Sequence, residues 1–109
     1  MTRGPLSPAA ALLLRSLLTR AGLDGDRIFL SKLRSVDWQS LTFSGERHEI
    51  SLRLSAPDAP GALARLRDGL ADAEWNLHGH IVADILIVAT LPSGDGSIEV
   101  DLEALTLRD

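Results

Sequence analysis

One stretch limits the choice of fold more than any other: His78–Leu91, which reads His-Gly-His-Ile-Val-Ala-Asp-Ile-Leu-Ile-Val-Ala-Thr-Leu. Simple alternation puts Ile81, Ala83, Ile85, Ile87, Ala89 and Leu91 on one side, and Val82, Leu86 and Val88 on the other. Both sides are apolar, and a strand of that kind is normally covered on both. The stretch therefore predicts the central strand of a small sheet. Its polar side chains are Asp84 and Thr90, with His78 and His80 at its start.

A chain of 109 residues has room for one domain around one core. We expect residues 1–109 to form a single α+β domain, with residues 1–6 as a flexible tail. Cysteine is absent, which excludes disulfides, thiolate metal sites and a Cys nucleophile. That usage fits a reducing compartment, so a cytoplasmic location is expected. With two Phe, two Trp and no Tyr, the chain has no aromatic platform for stacking bases. A net charge of −4 argues further against nucleic acid as a partner. The charge is unevenly spread. Residues 1–55 carry eight basic and five acidic side chains, a net +3, and residues 56–109 carry three basic and ten acidic, a net −7. Such a split suits two halves, or two subunits, that face each other. Apolar runs such as Ala9–Leu14 are far shorter than the ~20 residues of a membrane-crossing helix, so no membrane is expected. Arg15 and Pro8 also bound that run too tightly for a signal peptide.

Ser7-Pro8 is a helix start, with Ser as cap and Pro where a missing N–H costs nothing. Leu13, Leu14, Leu17, Leu18 and Ala21 follow at helical spacing, and Gly22 closes the helix. Residues 27–36 read as a strand with a kink or bulge. Residues 38–43 and 47–55 read as a hairpin turning at Ser44-Gly45-Glu46, with His48, Ile50, Leu52 and Leu54 inward. Asp58 caps a second helix whose stripe is Leu63, Leu66, Leu70 and Ala73. After the long strand, Pro92–Gly96 is a loop. Ile98, Val100 and Leu102 then alternate with Glu99, Asp101 and Glu103 in a last strand, and a bulge near Ala104 would restore the slipped alternation. No repeat of 20–50 residues stands out, although each half loosely reads as a helix followed by a hairpin. The expected architecture is an α+β sandwich: an antiparallel sheet of about five strands in the order α-β-β-β-α-β-β, with two helices on one face. The acids of the last strand are expected to approach Arg27, Lys32, Arg34 and Arg53. The second face of such a sheet needs a cover, and a second copy of the chain is the simplest one.

Few residues point to chemistry. His78 and His80 form an H-x-H pair. On an unbroken strand they share a face with Asp84, and two His with a carboxylate suit a Zn²⁺, Fe²⁺ or Mn²⁺ site. Gly79 breaks the strand, however, and no zinc-protease spacing is present, so ordinary structural histidines are the competing reading. Asp84 inside an apolar strand must be paired, hydrogen-bonded or held in a pocket with a raised pKa. Arg47, His48, Arg53 and Trp38 are its candidate partners. Asp84, His80 and His48 are accordingly the candidate catalytic residues. Trp75, beside Asn76, is a packing anchor or a pocket wall. No nucleophile motif, phosphate loop or dinucleotide fingerprint is present, and no cofactor is expected.

Leu54–Leu77, with Asp58-Ala59-Pro60-Gly61-Ala62-Leu63-Ala64-Arg65-Leu66 and then Asn76-Leu77, resembles the first strand, loop and helix of ACT domains. The resemblance implies a ferredoxin-like regulatory module binding a small molecule at a dimer interface, with Pro60, Gly61 and Trp75 as ligand-binding candidates. The chain departs from that pattern after Leu77, where one long strand replaces the expected hairpin. Trp38–His48 together with Gly79–Asp84 resembles small bacterial α+β proteins that carry no assigned function, which implies no activity. The expectation that follows is a homodimeric, non-catalytic binding or interaction module. An ACT-like sensor is the first alternative, and a metal-dependent or acid/base enzyme using His80 and Asp84 is the second.

Overall fold

The computed structural model describes residues 6–109. Of the tail expected at residues 1–6, only Leu6 falls within that range. The fold is α+β, with helices α1 (Pro8–Ala21) and α2 (Ala59–Arg67) on one face of an antiparallel sheet. The strands are β1 (Ile28–Gln39), β2 (Ser44–Leu54), β3 (His80–Pro92) and β4 (Ile98–Arg108), with the spatial order β1-β2-β4-β3.

There are thus four strands, not about five, and the element order is α-β-β-α-β-β. The expected strands at 27–36 and 38–43 are one strand. The chain turns at Ser40–Phe43 instead of at Ser44-Gly45-Glu46. The Ser40 hydroxyl accepts from the Phe43 N–H at 3.0 Å, and the Ser40 N–H donates to the Phe43 carbonyl at 2.8 Å. A serine side chain closing its own turn leaves no need for glycine there.

The second correction concerns β3. It is an edge strand paired with β4 alone, not the centre of the sheet. Its pairing register slips between Val82 and Asp84 and again between Ile87 and Ala89. Each slip adds one residue and reverses the alternation beyond it. Val82, Ile85, Ile87 and Thr90 therefore share the helix side, opposite Thr106, Ala104, Leu102 and Val100. Ile81, Asp84, Leu86, Ala89 and Leu91 face the other way. The anticipated bulge near Ala104 is absent from β4, whose pairing with β2 runs without a slip from Gly45↔Leu107 to Leu54↔Ile98.

The topology is symmetric. Each half runs helix, outer strand, inner strand, and the halves join at β2–β4 about the pair Glu49↔Glu103. Each outer strand slips early, at Leu30/Lys32 in β1 and at Val82/Asp84 in β3.

Local chemistry explains the helices. Ser7 Oγ accepts from the Ala10 N–H at 3.1 Å, and Gly22 closes α1 in the left-handed region at φ 71°. Ala9, Leu13, Leu17 and Ala21 recur at helical spacing, and all are buried. Leu13, Leu17 and Leu66 interlock with Ile50, Leu52, Leu54, Val100 and Leu102 of the inner strands. Burying each such side chain contributes about 1.5–3 kcal/mol. Two arginines tie the helices together. Arg65 Nε donates to the carbonyl of Ala21 at 2.7 Å, and Arg20 Nε to the carbonyl of Leu66 at 3.3 Å. Each thus serves the other helix's C-terminal turn, where carbonyls lack intrahelical donors and cations are favoured.

Candidate functional site

Both helices lie on one side, so the opposite face of the sheet is open. Reading across β1, β2, β4 and β3, the pairings set out five rows on that face. The first is Phe29, Arg53, Glu99 and Leu91. The second is Lys32, Ser51, Asp101 and Ala89. The third is Arg34, Glu49, Glu103 and Leu86. The fourth is Val36, Arg47, Leu105 and Asp84. The last is Trp38, Gly45, Leu107 and Ile81.

Two patterns stand out in this array. Large apolar side chains sit at its margins, with Phe29 53% and Leu91 67% exposed at one end and Val36 42% and Ile81 47% exposed towards the other. The charges are also segregated. The β1–β2 half carries Lys32, Arg34, Arg47 and Arg53 against Glu49, whereas the β4–β3 half carries Glu99, Asp101, Glu103 and Asp84 with no base.

The acids of β4 and the cations of the first hairpin share this face, with Arg53 directly opposite Glu99. The ion pairs formed are different ones, however. Glu49 takes Lys32 at 3.1 Å and Arg34 at 3.5 Å, and Arg53 takes Asp95 at 3.1 Å. Asp95 is held at about 2 by the hydroxyl and N–H of Ser97, with Arg53 adding to the effect. Glu99 and Asp101 accept from Ser31 at 2.5 Å and Ser51 at 2.7 Å. A shallow depression of about 200 Å³ lies mid-face among Lys32, Glu49, Ser51, Val88, Asp101 and Glu103.

Of the candidate catalytic residues, His48 and His80 share the helix side, near enough for His80 to act on the His48 ring, but Asp84 does not join them. His80 pairs with Arg108 and shares the helix side with Val82, whereas Asp84 lies beyond the first slip on the open side. The parity that seemed to unite them is broken by that one extra residue. Asp84 is exposed, so it needs no partner, and it has neither an ion pair nor a side-chain hydrogen bond among the described residues. His78 is exposed in the turn before β3. Among the described residues, no three His, Asp or Glu side chains are grouped to hold a metal ion.

His48 is the buried member of the set, at 1% exposure. Its Nδ1 is 2.7 Å from Ser35 Oγ and its Nε2 is 2.8 Å from Thr106 Oγ1, so one ring joins three strands. Glu46 lies on the same side of β2 and accepts from Ser7 Oγ at 2.7 Å. Burial pushes the His48 pKa below its ordinary value, Glu46 opposes that shift and His80 reinforces it. A neutral imidazole fully occupied by two hydroxyls is a cross-strand tie, with neither ring nitrogen free for substrate.

Pro60 and Gly61 lie in the first turn of α2. A side chain at Gly61 would meet Asp58 Oδ1 at 2.6 Å, and Asp58 is itself paired with Arg65 at 2.8 Å. The space beside Gly61 is therefore filled by the protein's own ion pair. Trp75 lies apart from them, in a groove of about 400 Å³ with Arg15, Ser16, Thr19, Arg20, Glu74 and Asn76. Arg20 sits over its ring, 6.0 Å from the centroid.

An uncovered second face was expected from the sequence, but which residues line it was not, because its members come from four strands and three register slips scramble their parity. The one signal visible beforehand was the charge split between the halves. No family model matches the chain, and neither the curated proteins nor the solved structures contain a significant match to it. Among the described residues no helix is long and apolar enough to cross a membrane. The fold and its face define an α+β protein with an antiparallel sheet covered on one side only.

Proposed function

We propose that the protein is a non-catalytic interaction module that works as a homodimer through the open face of its sheet. The uncovered face carries the reading. Phe29 and Val36 on one edge strand and Ile81, Leu86 and Leu91 on the other are each more than 40% exposed, and apolar side chains rimming an uncovered sheet face suit an association surface. The histidines support no competing chemistry: His48 is spent on Ser35 and Thr106, and His80 is separated from Asp84 by the sheet itself.

The groove at Trp75 favours a second reading, in which a small molecule binds between α1 and the segment before β3. Arg15 and Glu74 beside an indole offer one charge of each sign, which suits a small zwitterionic, partly apolar ligand, while Arg20 is spent on the carbonyls of Leu66 and Asp68. An ACT-like regulatory role would use this groove, since Asp58 and Arg65 occupy the space at Pro60-Gly61.

Native mass spectrometry of tag-free protein purified without chelator separates the two. A dimer without added mass is the expected result. A monomer at high micromolar concentration overturns the interaction reading. A stoichiometric excess of one metabolite per subunit transfers the function to the groove, and one metal ion per subunit overturns both readings.

A further inference from the structure

We infer that the second copy stacks on the open face with the twofold axis running along the strands, so that the basic half of each subunit covers the acidic half of the other. This rests on the homodimer reading and adds to it which surfaces meet and in what orientation.

Aligned sheets packed face to face keep their strands within about 30° of each other. A twofold axis in the interface then runs either along the strands or across them. Across the strands, β1 covers β1 and β4 covers β4. Lys32, Arg34 and Arg53 would then share a region with their own copies, as would Glu99, Asp101 and Glu103. Along the strands, β1 covers the partner's β3 and β2 covers the partner's β4, row upon row. Arg53 then stands over the partner's Glu99. Lys32 and Arg34 are offset sideways by one strand spacing, about 4.8 Å, from the partner's Asp101 and Glu103 across the gap of about 10 Å between the sheets, which their long side chains can span. Phe29 meets the partner's Leu91 at one end, and Trp38 meets the partner's Ile81 at the other. Both orientations bring the apolar margins together, but only this one sets Arg53, Lys32 and Arg34 against the partner's acids, with Val36 over the partner's Asp84. Charge complementarity of this kind selects orientation and suppresses the alternative.

The area is adequate. Four strands spaced about 4.8 Å apart and about 36 Å long present about 700 Å² per copy, or about 1,400 Å² in total, within the range of stable specific interfaces. At the middle of the face Glu49 stands over the partner's Glu103. Glu49 is already neutralised by Lys32 and Arg34, and these two cations are the ones that reach the partner's Glu103.

Two charge-reversed proteins test the inference. The first carries Lys32→Glu, Arg34→Glu and Arg53→Glu, and the second carries Glu99→Lys, Asp101→Lys and Glu103→Lys. By sedimentation velocity each alone should dissociate at least tenfold more readily than wild type, and an equimolar mixture should restore a dimer. Two variants that both remain dimers place the interface elsewhere and overturn this inference, while the homodimer reading stands. A wild-type monomer removes that reading as well. A second measurement does not depend on charge. The chain has no cysteine, and positions 29 and 91 lie on opposite edges of one subunit, about 14 Å apart across three strand spacings, too far for a disulfide within it. Facing sheets lie about 10 Å apart, beyond a disulfide, so Phe29→Cys with Leu91→Cys should give a dimer covalently linked by a bis-maleimide of about that span, which is too short to join the two positions within one subunit. A wild-type-like dimer that fails to cross-link overturns the orientation.

Discussion

Arg20 and Arg65 cap each other's helices. Arg20 ends α1 and donates to the carbonyls of Leu66 and Asp68, while Arg65 in α2 donates to the carbonyl of Ala21. Each guanidinium satisfies acceptors that the partner helix cannot satisfy itself. The exposed pair with Asp58 adds little, because solvent screens it. Replacing Arg65 with Met should therefore cost about 1–3 kcal/mol, the value of a charge-assisted bond to backbone. Arg65→Lys should not recover it, since an ammonium cannot reproduce the fork. Urea unfolding of Arg65→Met, Arg20→Met and the variant carrying both checks this, and the double should cost less than the two singles added together, because both arginines grip one helix–helix contact.

His48 should make stability depend on pH in one direction. Its folded-state pKa lies below the ordinary 6.5, chiefly because of burial. Below that pH the unfolded chain takes up a proton that the folded chain refuses, so the unfolded state binds more protons and stability rises with pH. The contribution is complete above about pH 6.5 and declines as the pH falls below it. Glu46 works against the shift and His80 with it. The urea midpoint of wild type should fall between pH 7.5 and 5. His48→Leu should be less stable at neutral pH, because Ser35 and Thr106 lose their partner, but its midpoint should be flatter across that window. An unchanged pH profile in the variant would falsify the assignment.

Gly45 is required by a close approach. A Cβ there would collide with the backbone carbonyl of Thr106 on β4. Backbone cannot move aside as a side-chain tip can, so Gly45→Ala must push β2 and β4 apart at the centre of the sheet. A loss of about 2–4 kcal/mol is expected, at the upper end of ordinary substitutions. Gly94→Ala, where a Cβ meets nothing within 4 Å, is the control and should change the thermal midpoint little.

Asp84 protects an edge. β3 offers one side of its backbone to solvent and carries an apolar sequence, the combination that invites strand addition by another chain. An exposed charge next to a bulge blunts that edge. In the twofold arrangement inferred above Asp84 also stands over the partner's Val36, so Asp84→Val should raise the thermal midpoint and yet raise the rate of thioflavin-positive aggregation. Faster aggregation with a lowered midpoint would point to a structural partner for Asp84 instead.

Several features were legible in the sequence because their causes are local. Ser7, Pro8 and Gly22 bound α1 through bonds within four residues of each terminus. The inward set His48, Ile50, Leu52 and Leu54 follows from strict alternation in a strand without a slip. The strand count was less legible, because Ser40 turns the chain with its own hydroxyl where glycine was the expected signal. The place of β3 was not legible either. An apolar strand reads as central when its alternation is assumed perfect, yet two slips in this one put Val82, Ile85 and Ile87 together on the covered side. The same slips undo the His80–Asp84 pair, the sharpest chemical candidate in the sequence.

The sequence by itself determined the α+β class, the helix ends, the inward row of β2 and the opposite charges of the two halves. These depend on neighbours a few residues apart, or on composition. Only the tertiary structure decided that β3 is an edge, that His48 ties Ser35 to Thr106, and which residues of the four strands share the open face and pair there. Those facts depend on strand order and register, which are set by long-range pairing and by single extra residues that local periodicity does not record.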